Sequence, residues 1–82
     1  MKNIIIEYIK RLTKEDIIKY ASRYNLKLSS EELDFIYSFI KDNYNNVLDN
    51  PNKYHIEDYK SKFSEENYVV IKNLVNKYKN MV

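Results

Sequence analysis

His55 is the only histidine of the 82-residue chain, and Glu57 and Asp58 follow it closely. An imidazole beside carboxylates could hold a metal or move a proton near neutral pH. A metal site needs more nitrogen or sulfur donors than His-x-Glu supplies. A general base needs a shaped pocket and an orienting partner. With no Cys anywhere, thiolate zinc sites, Cys nucleophiles and disulfides are excluded together. His55 therefore reads as a surface histidine at a helix start.

Other groups meet the same limit. The pairs Glu31/Glu32 and Glu65/Glu66 are adjacent in sequence, so on a helix they point about 100° apart and cannot flank one substrate. The Asp- and Asn-rich stretch 42–53 invites a calcium loop, but neither register works. Counting from Asp42 puts Tyr44, Val47 and Lys53 at the third, sixth and twelfth positions. Counting from Asp49 puts Pro51 third and Lys60 twelfth. Zero Gly removes the P-loop, the dinucleotide fingerprint and the nucleophile elbow, all of which need glycine where backbone turns sharply or approaches a ligand. The expectation is a protein with no enzymatic activity, no metal and no cofactor.

The elements that would carry these residues are helical. Absence of Gly starves tight hairpins. Ile5, Tyr8, Ile9 and Leu12 recur at helical spacing over 3–12. Thr13 and Asp16 form a capping box for a second helix, with Ile17, Ile18, Ala21 and Tyr24 as its apolar face and Asn25 as a left-handed terminator. Ser29 and Glu32 cap a third helix. It carries two stripes, Leu33/Ile36/Tyr37/Ile40/Tyr44 and Phe35/Phe39, which predicts a central helix covered on two sides. Residues 42–53 read as a turn region, with Val47 and Leu48 in a short turn of helix tucked onto the core. A short helix is expected over 53–62, with Tyr54, Tyr59 and Phe63 as apolar contacts. Ser64 caps a last helix lined by Val70, Ile71, Leu74, Val75, Tyr78, Met81 and Val82. The predicted fold is all-α, a single domain over 1–82, with four or five short helices and no sheet.

Charge is uneven along the chain. Residues 1–28 hold seven basic and three acidic groups, 29–50 one and five, and 51–82 six and four. Most of this follows helix macrodipoles, with Glu15, Asp16, Glu31, Glu32, Glu65 and Glu66 in first turns. A nucleic-acid reading would use Lys10, Arg11, Lys14, Lys19, Arg23 and Lys27 against phosphates, with Tyr20 or Tyr24 stacking on bases. Only two of fourteen cations are Arg, and the net charge is +2, a light electrostatic footprint. A DNA-reading helix–turn–helix fits residues 14–42 poorly. Its recognition helix would open on Ser30, Glu31, Glu32 and Asp34, which phosphates would repel.

Two surface expectations follow. Ile71, Leu74, Tyr78 and Met81 also make a coiled-coil seam of about two heptads, a route to a homodimer. Wide apolar stripes on the third and last helices would leave one patch uncovered, and such patches mark partners. The longest apolar runs, 4–6 and 69–71, are far short of a membrane span or an export signal, so a cytoplasmic location without membrane contact is expected.

The segment from Leu12 to Leu33 resembles the YqfT-like family of short proteins of unknown function from low-GC Gram-positive bacteria. The likeness covers about residues 3–50. It rests on a short N-terminal helix, a Thr-capped helix carrying Tyr20, Ala21 and Tyr24, a capped third helix and an Asn-rich turn. The resemblance implies a small bacterial helical protein and brings no catalytic residues with it. The functional expectation is a non-enzymatic protein-interaction module. The alternative is weak nucleic-acid binding through the basic N-terminal third.

Overall fold

Capping chemistry sets the helix limits. In a computed structural model, which describes residues 2–81 and the side chains of 3–77, the chain forms α1 (Lys2–Lys10), α2 (Lys14–Ser22), α3 (Ser30–Asp49), two 3-10 helices η1 (Pro51–Lys53) and η2 (Ile56–Lys62), and α4 (Glu65–Met81). The fold is all-α, and no strand occurs among the described residues. The Thr13 hydroxyl accepts the Asp16 N–H at 3.2 Å, and Asp16 accepts the Thr13 N–H at 3.0 Å. Both halves of the expected box are present. α2 ends in a Schellman turn. Asn25 takes φ 57°, its N–H donates to Ser22 at 3.1 Å, and the Leu26 N–H reaches back to Ala21 at 3.0 Å. Asparagine does here what glycine usually does, since its short polar side chain tolerates the left-handed region.

α3 is the hub, in contact with α1, α2, η1 and η2. Its two stripes meet different neighbours except at Phe39, which serves both. Phe35 and Phe39 meet Tyr54, Tyr59 and Phe63 with ring centroids 5.0–5.9 Å apart, in tilted and edge-on pairs that aromatic quadrupoles favour. The segment expected as a short helix over 53–62 thus exists as 3-10 turns that bring these three rings onto α3.

Two expectations need correction. The helix does not break at residue 42 but continues to Asp49. Tyr44, Val47 and Leu48 extend the Ile36/Ile40 stripe at spacings of three and four, and packing on that stripe outweighs the few tenths of a kcal/mol that each Asn costs in a helix. Asn43 turns its amide back to the Phe39 carbonyl at 3.0 Å, within the helix. The expected apolar faces are also only partly buried: Ile18 and Tyr24 are exposed while Ile17 and Ala21 are buried in α2, and Ile5 and Tyr8 of α1 are exposed.

Candidate docking groove

Two polar clamps position the helices around α3. The first is Glu32, buried at 6% exposure. Its Oε1 accepts the Ser29 N–H at 2.8 Å and the Asn67 side-chain amide at 2.9 Å. Its Oε2 accepts the Ser64 N–H at 2.9 Å. One carboxylate therefore completes the capping box of α3 and also serves the residue that caps α4, whose Oγ accepts the Asn67 N–H at 3.2 Å. Asn67 further donates to the Lys27 carbonyl at 2.8 Å, tying α4 to the α2–α3 connection. Burial pushes the Glu32 carboxyl upward. The amide hydrogens of Ser29 and Ser64, with Asn67 and the Ser29 hydroxyl, outweigh that and hold it below the usual 4.5.

The second clamp is Lys41. Its ammonium donates to the carbonyls of Ile9 at 2.8 Å and Lys10 at 2.9 Å. These lie at the open C-terminus of α1, where a cation also complements the helix dipole. The Tyr37 ring lies beneath both Lys41 and Lys14, at 5.5 and 5.6 Å.

Between the clamped helices runs an apolar groove of about 560 Å³. Ile36, Phe39, Ile40, Tyr44, Val47 and Leu48 of α3 form its floor. From Ile36 to Leu48, about twelve steps at the helical rise of ~1.5 Å, the floor extends about 18 Å. Tyr8, Ile9 and Leu12 from the α1 side and Ile17, Tyr20 and Ala21 of α2 contribute to its walls. Ile71 and Leu74 of α4 also line it, and Leu26 and Leu28 come from the α2–α3 connection. α4 is pinned at its N-terminal end by the Glu32 clamp and packs on η2, which leaves this space beside α3. Asp16 is the one carboxylate in the lining, and Thr13 holds it. The Thr13 N–H and hydroxyl keep that carboxyl below its usual 3.8. An interior of this kind offers apolar contact and tyrosine hydroxyls, which suits binding by burial.

The sequence-predicted residues fall in three places. Ile71 and Leu74 face the groove, while the side chains of Tyr78 and Met81 from the same proposed seam lie outside the described residues, as does Val82. The six candidate phosphate contacts lie across α1, α2 and the connections. Lys14 bonds Asp34 at 2.6 Å, a contact that raises its pKa above 10.5. Lys10 lies 3.7 Å from Glu7. Arg11, Lys19, Arg23 and Lys27 are exposed. His55 is exposed at the start of η2 and makes no side-chain cap there. No cluster of three or more metal-ligating side chains occurs among the described residues. No helix among them is long and apolar enough to cross a membrane.

Sequence reasoning expected an uncovered patch but missed the groove and both clamps. The groove's signal was the continuation of the α3 stripe through Val47 and Leu48. Beyond the Ser29–Glu32 box the clamps had no local signal, because Glu32–Ser64 and Lys41–Ile9 each join residues 32 apart.

These features define a small helical bundle with an open apolar groove. The chain belongs to a family described as protein of unknown function (DUF2624), whose model matches residues 1–79. The match takes in the groove, both clamps and the segment beyond residue 50. No curated protein and no solved structure matches the chain.

Proposed function

We propose that this chain is a non-enzymatic interaction module of the cytoplasm, whose groove receives an amphipathic helix of a protein partner. The observation that carries the reading is the groove itself, about 560 Å³ and lined by apolar side chains on three sides in so small a domain. Helix-in-groove recognition needs a channel that takes side chains one and two turns apart, and an 18 Å floor is about three turns long. Exposed apolar residues at the mouth, Tyr8 and Tyr20, extend the surface beyond the channel. The likeness to the YqfT-like proteins of low-GC Gram-positive bacteria fits a small bacterial protein of this kind. The nucleic-acid reading has less support, since two of its six cations already sit beside carboxylates.

The test is capture of the tagged full chain from native lysate, with and without nuclease, beside the Tyr8→Glu/Tyr20→Glu variant. Nuclease-resistant proteins held by the wild type and lost by the variant are the expected result. Identical capture by both overturns the reading, and so does capture that disappears with nuclease.

A further inference from the structure

Only two of the fourteen cations are arginines, and both stand at the mouth of the groove. Arg11 follows the lining residue Tyr8 by three positions, and Arg23 follows Tyr20 by three. In each case the Arg N–H donates to the carbonyl of that tyrosine, at 3.1 and 3.2 Å. A backbone bond across three residues makes a 3-10 turn, in which side chains i and i+3 eclipse. Each arginine therefore leaves the backbone beside one mouth tyrosine, one on the α1 wall and one on the α2 wall. Both are exposed, and neither forms an ion pair among the described residues. Both also end a helix, where any cation complements the dipole. That accounts for a charge but not for the choice of arginine, since Lys10 and Lys19 already occupy the same last turns.

The carboxylates of the walls and floor point elsewhere. Glu7 and Glu15 stand two positions from Ile9 and Ile17, about 200° round the helix. Asp42 stands likewise between Ile40 and Tyr44. Asp16 alone lies in the lining, held by Thr13. We propose that the groove's partner is an acidic amphipathic helix, whose apolar stripe fills the channel while carboxylates flanking the stripe meet Arg11 and Arg23. A guanidinium takes a carboxylate in a two-bond fork that an ammonium cannot make. Asp16 repels acid at its own position, so the partner's carboxylates lie toward the arginines and the charges fix its register. A nucleic-acid strand would lay sugars and phosphates over Ile36, Ile40 and Val47, which offer them no side-chain hydrogen bond. An anionic acyl chain would fill the channel but bring one carboxylate to two guanidiniums.

This inference rests on the groove receiving a helix, and its test separates the two claims. The probes are two fluorescent helical peptides with the same leucine stripe, one flanked by Glu and one by Lys, titrated with the full chain and read by anisotropy. The Glu peptide should bind at least ~10-fold tighter in about 50 mM salt, and the preference should shrink in about 500 mM salt. Arg11→Gln/Arg23→Gln should abolish the preference while the circular dichroism spectrum stays helical, because both side chains are exposed. Arg11→Lys/Arg23→Lys should keep its sign and lower it, because the charge remains and the fork is lost. Tyr8→Glu/Tyr20→Glu should weaken both peptides. Equal binding of the two peptides, or a preference indifferent to Arg11→Gln/Arg23→Gln, overturns the acidic partner and leaves the groove reading standing. Binding of neither at about 1 mM overturns the groove reading and this inference with it. Oligothymidylate or palmitate that binds tighter than the Glu peptide, by competition, overturns the inference in favour of a nucleic acid or an acyl ligand.

Discussion

Replacing Glu32 should reveal how much of the fold hangs on one carboxylate. The side chain accepts three hydrogen bonds of 2.8–2.9 Å from three different residues. A hydrogen bond to a charged group contributes about 1.5–3 kcal/mol, and bonds sharing one acceptor do not add. Each helix cap contributes about 1 kcal/mol. Glu32→Ala removes the acceptor from two helix starts and leaves the Asn67 amide with the Lys27 carbonyl alone, so the expected loss is about 3–4 kcal/mol. A domain of 82 residues has only about 4–12 kcal/mol in total. Glu32→Gln is the sharper probe. Its one amide oxygen can replace Oε1 or Oε2, and the NH₂ then confronts a donor at the other position. It should lose about 1.5–2 kcal/mol, with α4 freed at its start if the oxygen stays toward Ser29. Urea unfolding followed by far-UV circular dichroism measures both. A loss below about 1 kcal/mol for Ala, or a Gln variant as stable as the wild type, would refute the double-capping account.

The same node fixes a pH dependence. The folded Glu32 carboxyl sits below its usual 4.5, so its contribution is present above that pH and is lost as pH falls through the folded value. The stability gap between wild type and Glu32→Gln should therefore narrow in acid, as urea midpoints across pH will report. Lys41→Met leaves the Ile9 and Lys10 carbonyls without their ammonium and should cost about 1–3 kcal/mol, with hydrogen-exchange protection lost first in α1. Asn25→Ala, at φ 57°, should lose about 1 kcal/mol in thermal unfolding, whereas Asn25→Gly should not destabilise.

What was legible in the sequence was local. Thr13–Asp16 and Ser29–Glu32 read as boxes because a cap is a contact across three residues, and both formed. Asn25 read as a terminator for the same reason. The two α3 stripes were legible from period alone, though not that Phe39 serves both sides. The end of α3 did not, because Asn and Asp at 42–50 favour turns in isolation while Tyr44, Val47 and Leu48 find an apolar groove in the fold. Ile18 misled because its neighbour Ile17 already fills the inner face of a two-turn helix. The site was legible only in outline. Ile71 and Leu74 were recognised as an apolar seam, but their place in a groove wall depends on where Glu32 pins α4, a contact spanning 32 residues.

Occupancy of the groove is the central claim, and carbene footprinting of the full chain measures it without naming the occupant in advance. Ile4, Tyr8 and Tyr20 should label strongly in dilute purified protein, as their exposure requires. In native lysate Tyr8 and Tyr20, which line the groove, should be protected while Val69 continues to label. Equal labelling of Tyr8 and Tyr20 in dilute protein and in lysate would contradict the account.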